Sequence, residues 1–268
     1  MALKIALVGA GGRMGRALIT EIAQNEAFVL ASALESETSP LLGAPVFADQ
    51  TPPLLFSSSL PEALAYCDVV IDFSTPSSIH ALLPFLEHSS KPCVCGVTNL
   101  PEEGLAAFKA LAKKIPFFYA PNMNPLVALL KREVCLLAKI LGDEFDIEIS
   151  ETHHRGKADA PSGTALSLGK AIAEAQGKDF DPCACFSRTG TVGARTKGSI
   201  GFSVIRGGQV PGQHTVHFLG DAEHVSLTHE SFSRQVFAKG ALGAAQWLVS
   251  QASGRLYGME DWLETLAK

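Results

Sequence analysis

The sequence predicts an α/β chain, in which a doubly wound parallel sheet leads into a second α+β domain built on a mixed sheet. Three observations carry this. Apolar runs of strand length alternate with segments of helical period over the first 124 residues, a glycine cluster follows the first run directly, and the pattern changes after Asn124. Runs at 3–8, 28–34, 69–73, 92–97 and 117–119 read as buried strands. The stretches 13–25, 77–87 and 102–114 read as the helices between them. This alternation is Rossmann-like. Beyond Asn124 come a long helix to Leu141, a strand over 146–151, a loop with Gly, Pro and Ser, a helix from Thr164, and further strands. The alternating stretch 204–220 carries Gly207-Gly208 and Pro211-Gly212, which are hairpin signals. Helices at 233–250 and 259–266 close the chain. The expected division is a domain over 1–124, completed by C-terminal helices within 238–268, and a second domain over 125–237.

Composition narrows the function classes. The 268 residues are 47% hydrophobic with mean hydropathy +0.19, enough to fill a core, so a globular chain is expected. A net charge of −5 with no run of Lys or Arg argues against a nucleic-acid partner. The opening Met1-Ala2-Leu3-Lys4-Ile5-Ala6-Leu7-Val8 is too short for a signal segment, and Lys131, Arg132 and Glu133 interrupt the longest apolar helix. A soluble, cytoplasmic chain with no membrane partner follows as the expectation. Six cysteines lack the C-x-x-C spacing of zinc or redox sites, and no His-Glu-x-x-His pattern occurs, so no metal is expected.

The turn after the first strand reads Gly9-Ala10-Gly11-Gly12-Arg13-Met14-Gly15-Arg16. Glycines at a strand-to-helix turn let backbone approach a pyrophosphate, which the helix N-terminus then holds. The spacing departs from G-x-G-x-x-G, because position 14 is Met and the third glycine comes one later. Taken alone, the cluster is equally a tight βα turn. Context favours a dinucleotide: the second strand ends at Glu35, about where a ribose-binding carboxylate is expected. A carboxylate there accepts from a free 2′-hydroxyl and repels a 2′-phosphate, which favours NADH, although Arg13 is placed to pair with such a phosphate. Two later strand ends, Asp72-Phe73-Ser74-Thr75-Pro76 and Gly96-Val97-Thr98, belong to the same edge; each serves equally well as a simple helix cap. The last strand of this series ends in Ala120-Pro121-Asn122-Met123, whose backbone is a candidate neighbour of the nicotinamide.

The densest chemistry is Glu151-Thr152-His153-His154-Arg155-Gly156-Lys157-Ala158-Asp159-Ala160-Pro161-Ser162-Gly163-Thr164-Ala165. An imidazole titrates near neutrality and suits proton donation after a hydride has arrived. Lys157 offers fixed positive charge to a carboxylate. Pro161-Ser162-Gly163-Thr164 opens a helix, so the N–H groups of Gly163 and Thr164 can hold a second carboxylate at the positive dipole end. The remaining histidines read as structural.

These residues carry a resemblance. The stretches 9–16, 72–74 and 151–165, with Gly190, Gly201-Phe202, Arg206-Gly207-Gly208 through Val216, and Arg234 with Phe237-Ala238-Lys239-Gly240-Ala241, are similar to the signatures of the dihydrodipicolinate reductase family. The match runs in order along the whole chain, and the His-His loop is its most specific piece. The resemblance implies reduction of a cyclic hydroxylated imine dicarboxylate to tetrahydrodipicolinate with loss of water, in diaminopimelate and lysine biosynthesis, using NADH or NADPH. It implies His153 as proton donor and Lys157 as second acid or carboxylate clamp, with His154, Gly163 and Thr164 as substrate contacts. Cofactor contacts implied are Gly9, Ala10, Gly11, Gly12, Arg13, Met14, Glu35, Gly96, Val97, Thr98, Ala120, Pro121, Asn122 and Met123. It also implies a homotetramer joined through the second domain, which would bind substrate and oligomerise.

Departures from the family pattern are specific. Ser36 stands where members that use NADPH well carry Arg, so NADH is expected to serve at least as well. Gly-Thr-Thr-Gly reads Gly96-Val97-Thr98-Asn99, and Met123 replaces an aromatic residue. Two other readings remain compatible with the residues: a related dehydrogenase of another small oxo or imino acid, and a dinucleotide sensor that has lost turnover. The complete His-His-Lys loop argues against the second.

Overall fold

The computed structural model describes residues 1–266. In chain order its elements are β1 (Leu3–Val8), α1 (Arg13–Ala23), β2 (Phe28–Leu34), β3 (Phe56–Ser57), α2 (Leu60–Tyr66), β4 (Val69–Asp72), α3 (Pro76–Ser89), β5 (Cys93–Cys95), α4 (Glu102–Leu111) and β6 (Phe117–Tyr119). There follow α5 (Pro125–Leu141), β7 (Asp146–His153), α6 (Gly163–Ala175), α7 (Phe180–Cys183), β8 (Ala184–Cys185), β9 (Ile200–Arg206), β10 (Gly212–Leu219), β11 (His224–Ser231), α8 (Gln235–Leu248), β12 (Leu256–Tyr257) and α9 (Met259–Leu266). No helix among the described residues is long and apolar enough to cross a membrane.

The chain forms two compact units. The first comprises Met1–Pro125 and the segment from Arg234 onward. Its seven-stranded sheet has the order β12-β6-β5-β4-β1-β2-β3, and every pairing is parallel. Strands buried on both faces read as continuous apolar runs, which is why β1 and β4 were legible without alternation. Strand order reverses between β1 and β4, the switch point at whose carboxyl edge such sheets take ligands. Phe108 of α4 packs its ring on Phe117 of β6 at a centroid distance of 4.8 Å, inside the cluster that includes Val70, Leu82 and Leu86.

The second unit is Leu126–Ser233. Its five strands run β11-β10-β7-β9-β8; β7 lies parallel to β9 and antiparallel to β10, so the sheet is mixed as expected. The hairpin read at 204–220 does not form: β9 and β10 flank β7 on opposite sides and do not pair. The turn signals are real, but Gly207 N–H donates to His153 O at 3.0 Å and Arg155 N–H to Gly208 O at 3.3 Å. The turn therefore bonds to the end of β7 and delivers the next strand to its far edge. The partner of β10 on its outer side is β11.

Candidate active site

In the first unit, the functional edge is built at the end of β1. Gly9 has φ +74°, and a side chain there would come 2.9 Å from Phe73 O at the end of β4. Only glycine meets both conditions. Gly15 serves a different purpose. A Cβ there would run into the Gly9 and Ala10 carbonyl oxygens, so the displaced third glycine lets α1 pack against the turn. Gly12 caps α1 without any side-chain hydrogen bond, and no acidic residue occupies the first turn. That open helix terminus at the switch point suits a pyrophosphate. Arg13 and Gly12 are exposed and Met14 is half-buried, whereas Ala10 is buried. Arg16, not Arg13, folds back on the turn, its Nε donating to Gly11 O at 3.1 Å.

Glu35 stands beside this turn, where its Oε1 accepts from Gly11 N–H at 2.6 Å. At the neighbouring strand end Asp72 is fully buried; one oxygen accepts from Ser74 N–H at 2.7 Å, and the other has no partner among the described residues. Burial pushes this carboxyl up to about 6 against the opposing hydrogen bonds from Ser74. Thr75 caps α3 through Ser78 N–H, which is the capping role open to that segment, while the residue capping α4 is Pro101 rather than Thr98. Gly96 is required because the Phe73 ring lies where its Cβ would stand. Thr98 and Pro121 are exposed and Asn122 half-buried; Val97, Ala120 and Met123 are packed inside the unit.

In the second unit, the site grows out of the apolar core. Along β7 burial alternates strictly, so Ile147, Ile149, Glu151 and His153 share the inner face. The strand continues two residues beyond the expected end at 151, which places His153 on a strand instead of in a loop. Thus the row turns from aliphatic to ionisable within one strand. Glu151 and His153 are 2% and 8% exposed, and Glu151 Oε2 meets His153 Nδ1 at 2.5 Å.

Four N–H groups converge on that carboxylate. Arg206, at the end of β9, donates two hydrogen bonds of 2.8 Å, one to each oxygen; Ser162 N–H donates to Oε1 at 2.9 Å; His153 Nδ1 takes the fourth place. Burial pushes the Glu151 carboxyl up, but Arg206, His153 and Ser162 outweigh it and hold it below the usual carboxylate range. Burial likewise pushes the His153 imidazole down, and Lys157 and Arg206 add to this, while Glu151 opposes; the result is below the ordinary value.

Ser162 joins this group to α6. Its Oγ accepts from Ala165 N–H at 3.2 Å, capping the helix, and lies 2.9 Å from His214 Nε2. The rings of His153 and His214 meet edge to face with centroids 5.1 Å apart. Burial, with the neighbouring His153 second, pushes His214 down to about 4. Gly163 is exposed at the helix start with open space around it, and Thr164 and His154 are half-buried. Lys157 pairs with Asp159 at 2.8 Å, and the Asp159 side chain is more than half exposed. One unit therefore brings together His153, His154, Lys157, Gly163 and Thr164. Sequence reasoning names Glu151 and Arg206 without giving them a role and leaves His214 structural; the i, i+2 spacing of Glu151 and His153 on a strand is the available signal for Glu151.

Family models match both parts of the chain: one described as dihydrodipicolinate reductase, N-terminus, covers residues 3–123, and one described as dihydrodipicolinate reductase, C-terminus, covers residues 127–263. The chain belongs to the dihydrodipicolinate reductase family. It is an oxidoreductase of the NAD(P)H-dependent class. The 4-hydroxy-tetrahydrodipicolinate reductase of Thiobacillus denitrificans is 41% identical over 265 residues, 98% of this chain and 99% of that one. The enzyme of the same name from Syntrophotalea carbinolica is 43% identical, over 97% and 98% of the two chains. Among solved structures, a dipicolinate-bound dihydrodipicolinate reductase from Paenisporosarcina sp. TG-14 superposes with a TM-score of 0.76 at 26% identity, covering 97% of this chain and 99% of that one. Against the family pattern, the departure at Asn99 has a backbone reason: φ is +56°, a left-handed position that Asn tolerates better than other non-glycine residues.

Proposed function

We propose that the chain reduces 4-hydroxy-tetrahydrodipicolinate to tetrahydrodipicolinate, with His153 as proton donor and Lys157 as second acid or carboxylate clamp, in diaminopimelate and lysine biosynthesis. The relatives' names supply the reaction. The observation that carries the residue roles is the buried Glu151–His153 pair, joined through Ser162 to a helix N-terminus and followed on the same loop by Lys157. The dipicolinate bound by the solved relative is a planar diacid of the size this chemistry needs.

The reduction adds one hydride and one proton, and one water leaves. A reduced nicotinamide supplies the hydride; the glycine turn at Gly9 to Met14 and Glu35 are the residues assigned to hold it, with Gly96 to Thr98 and Ala120 to Met123 beside them. The His153 imidazolium gives its proton from Nε2 and is left neutral with Nδ1–H still bonded to Glu151. Lys157 exchanges Asp159 for one substrate carboxylate, and the N–H groups of Gly163 and Thr164 take the other, with His154 alongside. The first unit is the dinucleotide-binding domain and the second the substrate-binding and oligomerisation domain, in a cytoplasmic homotetramer.

Adding NADH and freshly formed 4-hydroxy-tetrahydrodipicolinate, beside keto and imino acids of similar size, tests the reading. Rapid loss of NADH absorbance on the dicarboxylate alone is expected; a different preferred substrate overturns it. Glu35 and Ser36 predict that NADH serves at least as well as NADPH, and a kcat/KM ratio of about ten or more in favour of NADPH, about 1.4 kcal/mol, would contradict this.

A further inference from the structure

Among the described residues, every hydrogen-bond partner of the Glu151 carboxylate is an N–H group: Arg206 Nη1 and Nη2, Ser162 N and His153 Nδ1. Glu151 is 2% exposed and is an acceptor only, so neutral His153 carries its proton on Nδ1 and leaves Nε2 as the atom that exchanges. Nε2 faces Gly212 at the start of β10, where a Cβ would stand 3.0 Å away. Arg206 bonds both oxygens of Glu151 and also donates to Asp159 O at 2.7 Å, which anchors the returning loop. A single carboxylate thereby ties the imidazole to the first residues of α6.

We propose that Glu151 and Arg206 are positioning residues for the proton donor: Glu151 fixes the tautomer and orientation of His153 and links it to the helix terminus at Ser162, and Arg206 holds Glu151 in place. The proposal rests on His153 being the acid of the reading above. The groups facing His153 are Glu151 on its own strand, Lys157 on the following loop, Arg206 on β9 and His214 on β10. Their charges make the pair act in opposite senses. Glu151 favours the imidazolium, whereas Arg206 opposes it.

The test is the pH dependence of kcat together with a 15N titration of the His153 ring, in Glu151→Gln and Arg206→Met. If His153 must be protonated, kcat falls as pH rises through its pKa. Glu151→Gln removes the favourable charge and sets an NH2 group against donors, so the fall moves to lower pH. Arg206→Met moves it to higher pH. The expected separation between the two variants is about one pH unit or more. A midpoint unmoved in both overturns the proposal, because loosened packing alone would lower kcat at every pH without displacing the midpoint. Should Glu151→Gln not fold, Arg206→Met decides: a rise supports the pair and an unmoved midpoint rejects it. The ring titration reads the same shifts without turnover, so it separates failure of the pair from failure of the proposed reaction.

Discussion

At the residue scale, the site depends on a few charges whose value is set by burial. Lys157 is bound to Asp159, a carboxylate of the chain that is more than half exposed and therefore weakly held. In the proposed reaction a substrate carboxylate would replace it with little loss, since exposed pairs contribute only about 0–1 kcal/mol. Lys157→Met should raise KM for the dicarboxylate by about tenfold or more, the order of one charge-assisted hydrogen bond, and leave the Kd of NADH nearly unchanged. Steady-state kinetics with a separate cofactor titration reads both numbers. An unchanged KM would remove Lys157 from the carboxylate site.

At the element scale, the β1–α1 turn shows how far sequence reasoning reaches. The strands β1, β2 and β6 were legible to the residue, because buried parallel strands are apolar runs bounded by punctuation. The third glycine is out of register with the standard motif, and the reason lies in three-dimensional packing: Gly15 packs the helix onto the Gly9 and Ala10 carbonyls. Backbone oxygens cannot move aside as a side chain does. Gly15→Ala should therefore lower stability by about 2 kcal/mol or more, despite the better helix propensity of Ala, and weaken nucleotide binding with it. Urea unfolding and NADH titration check this; a stabilised variant would contradict the packing. The short β3, α2 and β12 escaped the sequence because two to seven residues carry no periodicity. The 204–220 hairpin was misread because turn residues report a reversal of the chain, not which strand it then pairs with. In the candidate site, residue types single out the His-His-Lys loop, but not the contact of Arg206 with Glu151, since Arg206 lies 55 residues from Glu151 in sequence and reaches it only because β9 runs beside β7 in the sheet.

At the scale of the whole molecule, buried imidazoles tie stability to pH. His214 is 5% exposed and titrates at about 4 in the folded state, below the ordinary 6.5. An unfolded chain binds a proton at this residue below pH 6.5 that the folded chain refuses until about pH 4. Stability is thus fully present above pH 6.5 and is lost as pH falls toward 4, by about 3 kcal/mol from this residue. His153, also pushed down by burial, acts in the same direction. Urea unfolding at about pH 7 and about pH 4.5 should show the loss, and His214→Asn should flatten it. An equal slope in that variant would assign the acid sensitivity elsewhere. The segment after the second unit matters on the same scale: Trp247 of α8 packs edge to face on Phe118 and Tyr257, and Leu256 and Tyr257 extend the parallel sheet, so this segment completes the first unit.

The central claim is that a buried imidazole on β7 delivers the proton of the reduction. The most direct measurement is kcat of His153→Gln on 4-hydroxy-tetrahydrodipicolinate at saturating NADH, with the NADH Kd measured on the same preparation. A fall in kcat of about 10² or more, with Kd within about twofold of the parent, is the predicted result. An unchanged kcat would contradict the assignment of His153.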